Sequence, residues 1–381
     1  MELIFFVNSA LNKKGNIGTR ASKIISVLEK DKTPYKVFSR DADIIEDKIV
    51  TMGLLKFISR SLNAFRIFLN KRFCHRFYDI KIFEIWAIYQ YKKYRRRTNI
   101  HTSTKIAHVW EMCPRLISIL KSDGYKVILD FPIAPLNYAR DLIEKFPFDE
   151  MFFCKKNFLL ETKSIHLADL VICPSTFVKK CISDLGIASE KLSVVSFGAD
   201  SNSSKINRTK TKRPFTYCFA GNVSDRKGIN YLLEIWNDPL FKDDRLFLLG
   251  RVSPKYVKLI KNNINFKNII TPGFVDIENY FMESDVYVFP SFMEGSSKSI
   301  YEAMSYELAC IVTKQSGSVI KHLYDGILIE AGDRKSLKKF MISLKSNHAL
   351  RKSLAKNAKD KINKFSWLFY SKNTIRKYSK F

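Results

Sequence analysis

The stretch Asp285-Val-Tyr-Val-Phe-Pro-Ser-Phe-Met-Glu294-Gly-Ser-Ser-Lys-Ser-Ile-Tyr-Glu302-Ala-Met304 opens on an apolar run, Val286 to Phe289, that Pro290 stops. A short continuous apolar run predicts a strand buried on both faces, as in a parallel sheet. A Gly/Ser loop follows, then a helix expected from about Ile300. Strand, small-residue loop and helix N-terminus together make an anion site, because free amides and the helix dipole both point into the loop. A carboxylate there cannot partner the anion, so Glu294 is expected to accept hydrogen bonds from hydroxyls on a neutral part of the ligand. Ser299-x-x-Glu302 also fits a capping box, which gives Glu302 a structural reading beside the functional one. Phosphate plus hydroxyls points to a sugar nucleotide.

The same logic recurs upstream in Phe215-Thr-Tyr-Cys-Phe-Ala-Gly221-Asn-Val-Ser-Asp-Arg226-Lys227-Gly228, with Ile229, Leu232, Leu233 and Trp236 falling on one helical face behind it. Arg226 and Lys227 stand where a helix begins, so they oppose its dipole. A bound anion reverses that penalty. Arg grips phosphate bidentately and Lys adds a point charge. No Walker A loop and no G-x-G-x-x-G occurs. Asp41-Ala-Asp43 has the D-x-D form of metal-dependent sugar transferases, but it lies outside any long apolar strand and reads as chance.

Short apolar runs alternate with helical periodicity along the rest of the chain. Strands are expected at 3–7, 35–39, 105–110, 125–132, 170–174 and 191–197, and in a second series at 215–220, 246–249, 268–272, 286–289 and 308–312. Such alternation predicts parallel sheets covered by helices. The domains read as 1–199, a polar linker 200–214, 215–364, and a final basic helix 365–381 whose Phe365-Ser-Trp-Leu-Phe-Tyr370 cluster docks on another surface. A length of 381 residues fits two domains, and 46% hydrophobic residues fill two cores. No uninterrupted apolar stretch reaches the roughly 18–20 residues that span a bilayer. Met1-Glu-Leu-Ile-Phe-Phe-Val lacks a basic leader and reads as a first strand, not a signal peptide. Seven cysteines without a C-x-x-C pair predict reduced thiols and no metal site.

The 65 Lys and Arg against 37 Asp and Glu give a net charge of +28, a field that attracts polyanions. The base composition of a genome can also produce it. Residues 53–97 hold twelve Lys or Arg and two acids, Asp79 and Glu84, interleaved with aromatics, and Ile58, Leu62, Phe65 and Leu69 share one helical face. A basic amphipathic helix of this kind predicts docking on an anionic membrane surface, with about 1 kcal/mol from each basic residue near the leaflet. The structural alternative is helices packed on the sheet with a solvated basic face.

Gly221, Arg226-Lys227-Gly228, Gly273-Phe274-Val275, Asp285 to Ser291, Glu294-Gly295 and Glu302-Ala-Met304, preceded by Ala168 to Ser175 and Lys191 to Asp200, resemble glycosyltransferase family 4, the retaining GT-B enzymes. The likeness is specific over about 165–335 and general elsewhere. It implies an α/β, GT-B fold with two Rossmann-like domains facing across a cleft and a last helix crossing back to the first. It implies that Arg226 and Lys227 neutralise the pyrophosphate without a metal, with Glu294 on sugar hydroxyls and Glu302 on ribose. The amides of Gly295, Ser296, Ser297, Lys298 and Ser299 meet sugar and phosphate, Phe274 and Val275 line the base, and Gly15 and Gly18 admit the donor phosphate or cap the first helix. Asn222 stands where the family often has Arg, a contact that Lys298 is expected to replace. Where many members carry a His, this chain has Pro135, and Asp130 is the expected acceptor-orienting base, with His108 and Glu111 as rivals. The expected activity is retaining transfer from a nucleotide diphosphate sugar, UDP before GDP, to a lipid-linked or polysaccharide acceptor, with no cofactor, on the cytoplasmic face of the membrane. A nucleotide-sugar epimerase or a soluble-acceptor transferase keeps the same fold. A nucleic-acid-binding protein fits the charge but leaves Glu294 unexplained and lacks any helix-turn-helix, zinc or RRM signature, so no nucleic acid is expected.

Overall fold

A computed structural model of the chain describes residues 1–11, 16–43, 46–58, 61–62, 76–98, 104–146, 148, 153–199 and 213–381. Gly15, most of the expected linker, and residues 59–60 and 63–75 of the basic aromatic stretch lie outside the described residues. The chain divides into two compact units. One comprises Met1–Lys145, Phe152–Val195 and Leu368–Phe381; the other Phe146–Met151 and Ser196–Trp367.

The first unit is built on β1 (Glu2–Leu11), β2 (Lys36–Ala42), β3 (Ile49–Thr51), β4 (Lys105–Val109), β5 (Lys126–Asp130), β6 (Leu170–Cys173) and β7 (Leu192–Val194). They pair in parallel in the order β3-β2-β1-β4-β5-β6-β7. The apolar runs are buried on both faces: Ile4, Phe6, Val109, Val127 and Leu129 pack with Leu116, Ile117 and Leu120 of the helix Pro114–Ser122. Gly18 sits in the first turn of the helix Asn16–Lys30, where a Cβ would stand 1.9 Å from the Ala10 carbonyl. Its side-chain-free backbone lets that helix lie against β1.

The helix Phe77–Arg97 buries Ile80, Phe83, Trp86, Ala87 and Tyr91 and exposes Ile85 and Tyr89. Phe83, Trp86 and Tyr91 are therefore core, as in the structural alternative above, while Phe77, Tyr78 and Tyr94 are half-buried. Among the described residues of the stretch, Leu54, Leu55, Phe57, Ile58 and Leu62 form a further group of exposed apolar residues. Lys56 pairs with Asp41 at 2.7 Å, which places this patch at the carboxyl end of β2. Arg95 pairs with Asp123 ahead of β5, so the basic last turn lies at the opposite, amino end of the sheet. A helix of this length separates the two groups by about 30 Å.

The second unit contains β8 (Thr216–Ala220), β9 (Arg245–Leu249), β10 (Ile269–Gly273), β11 (Val286–Phe289), β12 (Ala309–Thr313) and β13 (Ile327–Ile329), parallel in the order β10-β9-β8-β11-β12-β13. The order reverses between β1 and β4 in the first sheet and between β8 and β11 in the second. At such a reversal the loops at the carboxyl ends part and open a ligand crevice. β3 and β13 have three residues each, too few to show a period.

Cys113, Cys173, Cys181, Cys218 and Cys310 are free and buried, whereas Cys154 is disulfide-bonded. This corrects the expectation of reduced thiols throughout: pairing follows proximity in space, which sequence spacing does not reveal.

Glu161 is buried and accepts the Leu136 amide at 2.6 Å, closing the start of the helix Leu136–Lys145. Burial pushes its carboxyl up to about 8, the amide only partly offsetting it. The folded state therefore holds a proton that the unfolded chain releases above its ordinary range. This contribution to stability is whole below about pH 4.5 and is lost as pH rises toward 8. Denaturant titrations of the wild type are expected to show stability falling by up to about 1.4 kcal/mol per pH unit across that window, and Glu161→Gln to flatten the slope. Identical slopes would exclude this role.

Candidate functional site

The loop after β8 runs from Gly221 to Gly228 through a 3₁₀ turn, Asp225–Lys227. Asp225 is buried and anchors that turn by accepting from Lys255 Nζ at 2.8 Å and from the Tyr256 hydroxyl. Gly228 has φ 74°, and a Cβ there would meet the Pro290 carbonyl at 2.2 Å. Only glycine fits both demands. The β8 loop is thereby pressed onto the loop after β11, and the Phe292 amide donates to the Arg226 carbonyl at 2.9 Å.

Glu294 lies at the centre of this seam, its side chain 12% exposed. It accepts from Lys227 Nζ at 2.5 Å, Arg226 Nη1 at 3.0 Å and Ser291 Oγ at 2.7 Å. Burial alone would raise its pKa; Lys227 and then Arg226 outweigh it and hold the carboxyl below its usual range. Burial lowers the Lys227 ammonium, and Glu294 counters. The short contact between them is an ion pair. The Lys227 ammonium also lies 5.0 Å from the centre of the Phe289 ring.

The helix after this loop spans Lys298–Ser305 with Ser297 as its N-cap residue. Ser299 is therefore inside the helix, which corrects the capping-box reading: Glu302 instead pairs with Lys298 at 3.0 Å, one turn back. Ser299 Oγ bonds Tyr287 Oη at 2.7 Å and Ser297 Oγ at 3.0 Å, and Ser296 Oγ bonds Tyr301 Oη at 2.9 Å. These side chains are spent on shaping the loop. Gly295 and Ser296 are buried beside them. At the neighbouring strand ends the Gly221 amide donates to Leu249 and the Gly250 amide to Gly273, both at 2.8 Å. Asn222 is exposed, Val275 half-buried, and Phe274 projects with 90% of its surface exposed.

Asp130 belongs to the other unit. Its side chain is 0% exposed and ion-paired with Arg20, and its second oxygen lies 3.6 Å from His108 Nε2. Burial would raise its pKa, but Arg20 overrides that and holds it below its usual range. Asp130, expected as the acceptor-activating base, is thus an enclosed carboxylate bound to a guanidinium. His108 is buried likewise, with Nδ1 2.8 Å from Tyr378 Oη, and burial lowers its pKa. Glu111 lies at the reversal of the first sheet. It accepts from Asn8 Nδ2 at 2.7 Å, Arg76 Nη2 at 2.5 Å and the Met112 amide at 3.0 Å. Arg40 joins through Asn8 Oδ1 at 2.9 Å and through Asp79. Sequence reasoning missed Asn8, Arg40 and Arg76. The signal for Arg76 is conformational, a non-glycine residue at φ 65°, which side-chain pairing sustains.

Residues 214–347 match the model of the family described as glycosyl transferases group 1. An uncharacterized glycosyltransferase of Methanocaldococcus jannaschii is 28% identical over 56% of this chain and 58% of its own length. The UDP-Gal:alpha-D-GlcNAc-diphosphoundecaprenol alpha-1,3-galactosyltransferase of Escherichia coli is 28% identical over 48% of this chain and 52% of its own. The chain thus spans little more than half the length of these curated relatives. Among solved structures, the apo lipopolysaccharide outer core galactosyltransferase WaaB superposes with a TM-score of 0.71 at 17% identity, over 100% of both chains. That likeness shows the fold, and the GT-B class expected from the sequence is the one observed.

Replacing Gly228 by Ala places a methyl group against the Pro290 carbonyl and strains the left-handed backbone. We expect a loss of about 2 kcal/mol or more in unfolding free energy, read as a lowered Tm. An unchanged Tm would mean that the seam between the two loops is not tight.

Proposed function

We propose that this chain, whose residues 214–347 match the glycosyl transferases of group 1, moves a hexosyl group from a nucleotide diphosphate sugar to a lipid-linked or polysaccharide acceptor, retaining the anomeric configuration and using no metal. The observation that carries this reading is the Arg226–Lys227–Glu294 cluster at the reversal of the second sheet. As the bond from the anomeric carbon to the diphosphate breaks, negative charge grows on the departing phosphate. Arg226 and Lys227, held in place beforehand by Glu294, offset it without reorganising. Free lone pairs of Glu294 take the hydroxyls of the sugar. The acceptor oxygen bonds to the anomeric carbon on the face the phosphate leaves, and its proton passes to the leaving oxygen. Phe274 covers the base and Glu302 meets the ribose.

UDP is the favoured carrier, since the Escherichia coli relative is named for UDP-Gal as donor and a diphosphoundecaprenol acceptor. On the acceptor side, the Arg76–Glu111–Asn8 network at the reversal of the first sheet offers both donors and acceptors of hydrogen bonds. The exposed patch of Leu54, Leu55, Phe57, Ile58 and Leu62, beside a chain of net charge +28, supports docking on the anionic inner face of a membrane. No described helix is long and apolar enough to cross one.

Thermal unfolding in the presence of UDP- and GDP-hexoses tests the donor reading. One donor is expected to raise Tm by several degrees, Lys227→Ala to abolish the shift, and EDTA to leave it intact. No shift with any donor, or an equal shift in the variant, would count against it. For docking, vesicles containing phosphatidylserine should sediment the wild type, and Leu54→Asp with Phe57→Asp should stay in the supernatant. Equal sedimentation of both proteins would refute this surface.

A further inference from the structure

Arg226 and Lys227 do not present their full charge to a ligand, because both lie on Glu294. Lys298 is likewise offset by Glu302. Three cations against two carboxylates leave one net positive charge at the loops, while a nucleoside diphosphate brings about two to three negative ones near neutral pH. A further cation within reach is required for balance.

Arg251 meets the requirement. It follows Gly250 at the carboxyl end of β9, and the chain there runs parallel to the β8 loop through the bridge Val223–Val252. The Val223 amide donates to the Arg251 carbonyl at 2.8 Å, and the Ser253 amide to the Val223 carbonyl at 3.2 Å. In a parallel pair, register partners point to the same side and successive residues alternate. Val223 is buried. Asn222 and Arg251, each one residue earlier, therefore face the other way together, and both are exposed. Adjacent strands lie about 4.8 Å apart, so Arg251 stands beside Asn222 at the mouth of the glycine-lined loop. No described residue makes a hydrogen bond or ion pair with its side chain, in contrast to Arg226, Lys227 and Lys298.

We propose that Arg251 is a third donor-binding cation, which engages the diphosphate of the nucleotide sugar from the β9 side of the crevice. The inference rests on the donor reading above and goes beyond it in assigning this residue. A guanidinium on an open strand end reaches two phosphate oxygens at once, which an amide at position 222 does not.

The test measures binding of UDP, GDP and uridine to the full chain at two salt concentrations. Wild type, Arg251→Gln, Arg251→Lys and Lys227→Ala are compared. Arg251→Gln is expected to keep the wild-type Tm, to weaken binding of the better diphosphate about tenfold, and to reduce its salt dependence, as loss of one charge-assisted contact predicts. Uridine binding should not change, and Arg251→Lys should restore part of the affinity. If Arg251→Gln binds the diphosphate as the wild type does while Lys227→Ala does not, Arg251 has no such role and the donor reading stands. An equal loss for uridine would assign Arg251 to the nucleoside and overturn the proposal. A wild type that binds neither diphosphate would sink the donor reading itself, and this inference with it.

Discussion

Glu294 holds Arg226 and Lys227 on a single carboxylate oxygen, Oε1, and the rest of the second unit is arranged to make that contact possible. The carboxylate comes from the loop after β11 and the cations from the loop after β8, so the contact needs both strands side by side at the reversal of the sheet. Burying one such charge without its partners would cost about 3–5 kcal/mol. The Ser291 hydroxyl, the Phe292 amide and the glycine at 228 remove the slack that would otherwise let either loop drift. Two cations kept close together repel each other, and Glu294 is what makes their proximity tolerable. The same carboxylate that orients the cations also limits the positive charge they offer, and that trade sets the demand for charge from elsewhere in the crevice.

The two sheets solve one topological problem twice. Each changes winding direction once, and each gathers its polar cluster where the loops at the carboxyl ends separate. In the second sheet the cluster is a cation pair on a partly accessible carboxylate. In the first it is a compensated network of Asn8, Arg40, Arg76, Asp79 and Glu111, whose charges cancel pairwise. A cluster with net positive charge suits a phosphate, and a neutral one with mixed donors and acceptors suits a hydroxyl-bearing group. The difference follows from the charges alone.

Most strands were legible because parallel strands buried on both faces write themselves as unbroken apolar runs, and Val286–Phe289 has the bounds its sequence implies. The cation pair was legible because placing Arg226 and Lys227 ahead of a helix makes poor helix electrostatics without a functional reason. What failed to show was which of several available partners a side chain meets. Ser299 and Glu302 had the spacing of a capping box, yet the helix began two residues earlier and Lys298 claimed the glutamate. The aromatics of Phe77–Arg97 looked like a membrane face, but helical periodicity does not say which stripe meets the sheet, and Phe83, Trp86 and Tyr91 turned inward. Arg251 drew no notice, since a lone arginine after a glycine carries no pattern until the bridge to Val223 places it beside Asn222.

Asp130 illustrates how an end-of-strand carboxylate is enclosed by the elements around it. It closes β5 on the side where a catalytic group would be expected, but Arg20 from the first helix and His108 from β4 enclose it. Tyr378, on the helix Trp367–Tyr378 whose residues from Leu368 belong to the same unit, completes the chain of contacts through His108 Nδ1. A neutral imidazole has one donor and one acceptor nitrogen. Burial keeps His108 neutral, so it can bridge a carboxylate and a hydroxyl without adding charge. Replacing such an assembly with apolar side chains is often neutral or favourable for stability, and the contact it makes here joins the final helix to β4 through Tyr378 and His108. Asp130 thus fixes the end of the chain to the sheet through His108 and Tyr378.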